Sequence, residues 1–170
     1  MSSVRRGSIA DVDALMPLWV AMVEHHRLVA GDEWPVRDAG AAWEIRRAEY
    51  QGWLNDGSGV LFLAGPGGEG EVTGYAMLRV HVPGATWDLG EQVGELESLA
   101  VAASARGAGL GTMLMKSRRE ELRQRGVGYW SVAVVEANEA AVRLYERSGF
   151  RSYYRLLLGH VDSATAATSR

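Results

Sequence analysis

The chain has 170 residues, 47% apolar and 23% charged, with a formal net charge of −3 and no cysteine. That length and composition fit one globular domain and exclude a disordered chain, a collagen or a disulfide-stapled miniprotein. The missing cysteines exclude disulfides, thiolate nucleophiles and cysteine-ligated zinc, and the slight acidity gives no global attraction to nucleic acid or to an anionic membrane.

At the N-terminus, "SVRRGSI" predicts a short strand, and Asp11 and Asp13 interrupt what would otherwise be the apolar core of a signal peptide. No apolar run approaches the roughly 18 residues of a membrane span, so a cytoplasmic protein without membrane contact is expected. "DVDALMPLWVAMVEHHRLV" repeats apolar residues at three- and four-residue steps (Leu15, Leu18, Trp19, Met22, Val23) and predicts an amphipathic helix. A second helix, roughly 41–54, places Trp43, Tyr50, Trp53 and Leu54 near one side. The period then changes to that of strands: "VLFLA" and "EVTGYAMLRV" flank the turn "GPGGEG" as a hairpin, and "QVGELESLAV" follows after a loop. "ARGAGLGTMLMK" opens a helix with Leu110, Met113, Leu114 and Leu122 inward, stopped by Gly126. "GYWSVAVV" predicts a strand, "NEAAVRLYERSG" a short helix and "FRSYYRLLLGHV" a final strand. The result is one α/β domain over residues 1–161 and a tail, 162–170, too poor in apolar surface to order itself.

Three glycines, Gly107, Gly109 and Gly111, fall within five residues at the entrance to a helix. A turn of small residues there aims several backbone N–H groups at one point, with the positive end of the helix dipole behind them, which makes an anion cradle. Arg106 can add a charge-assisted bond at its rim. The other reading of the glycines alone is a tight strand-to-helix join. Thr112 and Met113 after Gly111 do not complete a P-loop, and the G-x-G-x-G spacing is not the dinucleotide fingerprint, so a nucleotide-binding α/β protein is the weaker alternative.

Strand "ELESLAV", connector "AASA" and loop "RGAGLG" together resemble the acetyl-CoA-binding core of the GCN5-related N-acetyltransferases (GNAT), whose Gln/Arg-x-x-Gly-x-Gly/Ala signature is met by Arg106, Gly109 and Gly111. "NEAAVRLYERSGF" resembles the late helix of that family. The resemblance covers roughly 91–154 and is weaker over the N-terminal half. It implies a central mixed, largely antiparallel twisted sheet, splayed at the acetyl-CoA site and flanked by about four helices. It also implies that the pyrophosphate of acetyl-CoA rests on the amides of Gly107, Ala108, Gly109, Leu110, Gly111 and Thr112, beside Arg106. The pantetheine arm would pair with Leu99, Ala100 and Val101 and touch Asn138. The Leu99 N–H would stabilise the oxyanion, an effect typically worth roughly 2.7–4 kcal/mol per donor.

Asn138 and Tyr145 are seven residues apart, hence on nearly one helix face about 10.5 Å along the axis, although Asn138 also suits an N-cap and Tyr145 a packed aromatic. By resemblance Tyr145 hydrogen-bonds the departing sulfur. A phenol near pKa ~10 is a weaker acid than a thiol near ~8.5, so stabilising the thiolate by that bond is the safer role. Glu95 and Glu97 alternate onto one strand face. Glu97 is taken as the base and Glu95 as helper or substrate anchor, with a water relay, or two solvated carboxylates without a role, as the other readings. A carboxylate facing an ammonium must overcome about six pKa units, roughly 8 kcal/mol, so burial and mutual repulsion would have to raise one of the pair.

Adjacent His25 and His26 diverge by about 100° on a helix and do not form a metal pair; no metal is expected. His81 reads as a solvated loop histidine, with a place facing the acceptor pocket as the alternative. Trp34, Trp43, Tyr50 and Trp53 either pack the helices or shape that pocket. The chain is therefore read as an N-acetyltransferase that passes the acetyl group of acetyl-CoA directly to a bound amine in a ternary complex. The acceptor is a small-molecule amine or a protein N-terminal amine, and pairing of two subunits is left open. A non-catalytic acyl-CoA-binding module on the same fold is the main alternative.

Overall fold

Pro17 decides where the first helix begins. Proline lacks an N–H and its ring collides with the carbonyl four residues back, so the segment predicted as one helix divides: Ile9–Leu15 closes as a 3-10 turn and α1 runs over Met16–Ala30. The Ser8 N–H donates to Asp11 Oδ2 at 2.8 Å, and Arg5 pairs with Asp11 at 2.7 Å, which holds that carboxyl below its ordinary pKa. Helix α2, Ala39–Asn55, is capped by Asp38, whose side chain accepts from the Ala41 N–H at 3.0 Å.

The structure, a computed structural model, describes residues 2–66 and 70–161. The middle of the predicted "GPGGEG" turn and the predicted tail lie outside the described residues. Strands β1 (Ser3–Arg6), β2 (Gly59–Gly65), β3 (Gly74–His81), β4 (Val93–Val101) and β5 (Trp130–Val132) form one open sheet in chain order. The first four are antiparallel neighbours; β5 joins β4 in parallel after helix α3, Leu110–Gln124, and helix α4 is Glu139–Arg147. This is the mixed, largely antiparallel sheet with four helices that the resemblance implied.

Both faces of the sheet are covered, which is why "VLFLA" is apolar throughout. Leu61, Leu63, Tyr75, Met77 and Ala100 face α1 and α2, against Leu15, Trp19, Val23, Trp43 and Tyr50. Val60, Phe62, Ala76, Leu78 and Leu96 face α3, against Leu110, Leu114, Met115 and Leu122. Gly94 lets α3 close on β4: a Cβ there would lie 2.7 Å from Leu122 Cδ2 and 3.2 Å from Trp130 Cβ.

One register break interrupts β4. Met77 pairs with Ser98 but Leu78 pairs with Leu96, so Glu97 is an extra residue in a β-bulge. A bulge reverses which parity faces which side. Glu95, Ser98 and Ala100 point toward α1 and α2, whereas Leu96, Leu99 and Val101 point toward α3.

The predicted final strand, "FRSYYRLLLGHV", is not formed. No strand lies beside it to supply a ladder among the described residues, and Leu156 and Leu157 stay 85% and 82% exposed. Ring contacts anchor its start instead: Phe150 lies 4.6 Å from Trp130 and Tyr153 lies 5.0 Å from Trp87, centroid to centroid.

Arg118 sits fully buried on the sheet-facing side of α3. Its NH2 donates to Met115 Sδ at 3.0 Å, while Nε and NH1 have no partner among the described residues. Burial pulls its pKa down to about 9. A buried, poorly satisfied charge is a net cost, and an apolar side chain of similar length removes it. Arg118→Met is therefore expected to unfold at or above the wild-type temperature, by about 0–4 kcal/mol, in thermal denaturation; a clear loss of stability would contradict this account.

Candidate active site

The bulge and the glycine turn delimit one stretch of β4. Pairing with β5 ends at Leu96, opposite Val132, while β4 continues to Val101. From Glu97 onward, among the described residues, only β3 pairs with β4, through Met77, Ala76, Tyr75 and Gly74 opposite Ser98, Leu99, Ala100 and Val101. Such an open edge can accept an extended, amide-bearing ligand as if it were a strand.

The chain leaves β4 through a 3-10 turn, Ala103–Ala105, and enters α3 through the glycine loop. Gly107 and Gly109 have φ of 81° and 78°, a region that L side chains rarely adopt, and Gly109 is the helix N-cap. Nothing lies within 4 Å of where their Cβ atoms would be, so freedom of the backbone and open approach to it are both provided there. Arg106 sends its Nε back to the Val101 carbonyl at 3.4 Å, which holds its stem along the same edge.

Helix α4 packs against the start of α3, Leu144 Cδ2 lying 3.8 Å from where a Cβ on Gly111 would be. Asn138 is its N-cap, its side-chain oxygen accepting from the Ala141 N–H at 3.3 Å. The capping reading holds at this residue, and it uses only the oxygen of the amide. Tyr145 packs against the α3 core and Phe150, with ring centroids 5.8 Å apart. Burial pushes its phenol up from the ordinary range, opposed by the positive charge of Arg118.

The α1/α2 side of β4 carries the charges. Glu97 accepts from Arg46 NH1 at 3.2 Å and lies 3.8 Å from Arg79 NH1. Burial and the neighbouring Glu95 charge raise its pKa, against the pull of Arg46 and Arg79. Arg46 is stacked 5.1 Å from the Trp19 centroid, 5.7 Å from Tyr50 and 5.5 Å from Trp53, and Arg79 lies 5.0 Å from Trp53. Beneath them Tyr50 donates to Ser98 Oγ at 2.5 Å and meets the Tyr75 hydroxyl at 3.2 Å. All three residues are buried, and burial raises the Tyr50 phenol to about 12, so this network stays neutral and rigid.

The structure thus brings Glu95 and Glu97 to one side of β4, and Leu99, Val101 and Tyr145 to the other, against the helix that the glycine loop opens. Arg46, Arg79 and Ser98 were missed by the sequence reading, because nothing local marks an arginine 51 residues away as the partner of Glu97. His81 is not a solvated loop residue: it ends β3, its Nε2 lying 3.2 Å from Glu95 Oε2. Trp43 belongs to the core and Trp34 is 36% exposed away from it, whereas Trp19 and Trp53 meet the site. Among the described residues no group of histidines and carboxylates is placed to hold a metal ion, and no helix is long and apolar enough to cross a membrane.

Comparison with known proteins gives the same architecture. The model of the family described as "Acetyltransferase (GNAT) family" matches residues 20–150. Among curated relatives, a mycothiol acetyltransferase of Thermobifida fusca is 34% identical over 68% of this chain and 35% of its own length. Another, of Geodermatophilus obscurus, is 38% identical over 68% of this chain and 36% of its own length. The chain spans about a third of the length of these relatives. Among solved structures, a GCN5-related N-acetyltransferase from Ralstonia eutropha JMP134 superposes with a TM-score of 0.75 at 22% identity, covering 94% of this chain and 99% of that one. AAC(6')-Iy in complex with the bisubstrate analog CoA-S-monomethyl-acetylneamine superposes with a TM-score of 0.68 at 16% identity, covering 94% and 97%. At these identities the superpositions establish the fold.

The buried hydroxyl network makes a graded stability test. Tyr50→Phe removes the phenol that both Ser98 and Tyr75 engage, whereas Ser98→Ala leaves the tyrosine pair intact. In urea denaturation Tyr50→Phe is expected to cost about 1–3 kcal/mol and Ser98→Ala less; the reverse order would show that the tyrosine is not the centre of the network.

Proposed function

The chain belongs to the acetyltransferase (GNAT) family, and from that membership we propose that it transfers the acetyl group of acetyl-CoA directly to an amine, with both substrates bound together. The observation that carries this reading is the open edge of β4, lying between a base candidate at the bulge and an amide-lined glycine turn, with Tyr145 across from it. The amides of Gly107 to Thr112, at the N-terminus of a 15-residue helix, suit the pyrophosphate, and Arg106 adds charge at the rim. The backbone of Leu99, Ala100 and Val101 suits the pantetheine arm, with Asn138 beside it. The cosubstrate supplies an activated acyl thioester; everything else comes from this chain.

With no cysteine, the acceptor nitrogen attacks without a cysteinyl intermediate. The acceptor arrives as an ammonium and must lose a proton first. Glu97, raised from the ordinary carboxylate range by burial and by Glu95, is better matched to that task than a solvated carboxylate. As the carbon–nitrogen bond forms and the carbon–sulfur bond breaks, the sulfur takes up negative charge, which the Tyr145 hydroxyl stabilises by hydrogen bonding. The Leu99 N–H serves the carbonyl oxygen.

Glu95 and Glu97 on one side of β4 suit a cationic small-molecule amine, while the Trp19 and Trp53 rings are covered by Arg46 and Arg79. The curated relatives are named mycothiol acetyltransferases, and a structural neighbour carries an acetylneamine analog, which supports small amines over a protein N-terminus.

Acetyl-CoA is expected to raise the melting temperature while ATP and NAD leave it unchanged; the opposite pattern favours a nucleotide-binding protein. A panel of small amines and of peptides with free N-termini, followed by thiol release, then reads the reaction. Binding of acetyl-CoA without thiol release for any amine would mark a non-catalytic module. With an active acceptor, Glu97→Gln is expected to lower kcat by about 100-fold or more, while Tyr145→Phe lowers it with little change in acetyl-CoA affinity. Because the folded Glu97 holds its proton to higher pH than a free carboxylate, activity that needs it ionised rises with pH through a limb above the ordinary carboxylate range. That limb is expected to vanish in Glu97→Gln; its persistence would move the base elsewhere.

A further inference from the structure

Direct acetylation of an ammonium leaves one proton to dispose of. Of three protons on the nitrogen, one stays on the amide, one ends on sulfur, and the third must reach solvent. Glu97 cannot release it directly with ease: its side chain is 14% exposed and is flanked by Arg46 and Arg79. On the same face stand Glu95 and His81, equally open to solvent with side chains 34% and 33% exposed. Glu95 faces Arg79 across the ladder and feels the Glu97 charge, and His81 meets Glu95 on the diagonal between β3 and β4.

The hydrogen bonds of His81 decide what passes between the last two groups. Its Nδ1 lies 2.9 Å from the Val82 carbonyl, which can only accept, so Nδ1 carries the hydrogen. In the neutral ring Nε2 is then an acceptor, and it faces Glu95 Oε2, another acceptor, at 3.2 Å. A hydrogen bond joins these two atoms when one of them carries a proton. A surface ion pair without function would be served equally by a ring turned the other way; this ring presents its basic nitrogen to the carboxylate and has its other nitrogen tied to the backbone, the second-nitrogen arrangement that fixes a tautomer.

We propose that the row Glu97, Glu95, His81 is the exit path for the proton released in each turnover, with His81 Nε2 as its last station before water. The step is a proton transfer alone: the ammonium proton passes to a Glu97 oxygen, a proton moves on through water to Glu95 and across the 3.2 Å contact to Nε2, and His81 gives it to solvent or buffer. The proposal rests on the acetyltransferase reading, but its first test needs no substrate.

Long-range 1H–15N NMR of the intact protein reports which imidazole nitrogen carries the proton, and His81→Gln assigns the resonance among four histidines. The neutral His81 ring is expected in the Nδ1–H form, and Glu95→Gln is expected to change the Nε2 shift. An Nε2–H ring, or a shift indifferent to Glu95→Gln, overturns the proposal. With an amine identified by thiol release, His81→Ala in dilute buffer is expected to lower kcat about tenfold or more with the KM for acetyl-CoA unchanged, and added free imidazole is expected to restore it. Full activity without His81, or a loss that imidazole does not restore, overturns the exit path. If acetyl-CoA does not bind at all, the acetyltransferase reading falls and takes the path with it, while the NMR result still stands for the pair.

Discussion

The extra residue that Glu97 inserts into β4 is the constraint on which the site depends. Strand geometry alone would send Leu96, Ser98 and Ala100 to one face and Glu95, Glu97 and Leu99 to the other. The bulge keeps Glu95 and Glu97 together on the α2 side, turns Ser98 and Ala100 to join them, and gives Leu99 and Val101 to the α3 core. The same distortion adds local twist, and pairing with β5 stops one residue before it. One irregularity thus sets Ser98 and Ala100 beside the acids, next to the stretch of β4 where pairing with β5 has ended.

The two faces of the sheet then divide the chemistry. The α3 face ends in the glycine turn and in α4, where backbone amides and a half-buried phenol suit an extended anionic ligand. The α2 face holds carboxylates, arginines and tryptophans around a buried floor of hydroxyls. Glu97 sits at the boundary. Its partners pull in opposite directions: burial and Glu95 favour the protonated form, Arg46 and Arg79 the charged one. Opposed influences of this kind are how functional sites set the protonation of a carboxylate.

The polar interior is unevenly satisfied. Tyr50, Tyr75 and Ser98 complete one another, whereas Arg118 has only a thioether partner and the Arg79 Nε has none among the described residues. The hydroxyl network costs little to bury because each member finds a partner; the guanidinium on α3 carries a desolvation cost that its single weak acceptor does not offset.

Much of this was legible in the sequence. Residue patterns located the four α-helices and the first five strands, though not the 3-10 turns Ile9–Leu15 and Ala103–Ala105, and Gly107 and Gly109 marked the turn before α3, because helix periods and positive φ angles are local properties written in consecutive residues. The resemblance to a known family extended that reading to Asn138, Tyr145 and the two glutamates. What only the tertiary structure decided depends on residues distant in the chain: the bulge needs β3 beside β4, Glu97 meets an arginine 51 residues away, and His81 touches Glu95 only across the ladder. The missing final strand has the same cause, since a strand exists only with a partner, and no stretch of sequence states on its own whether one is there.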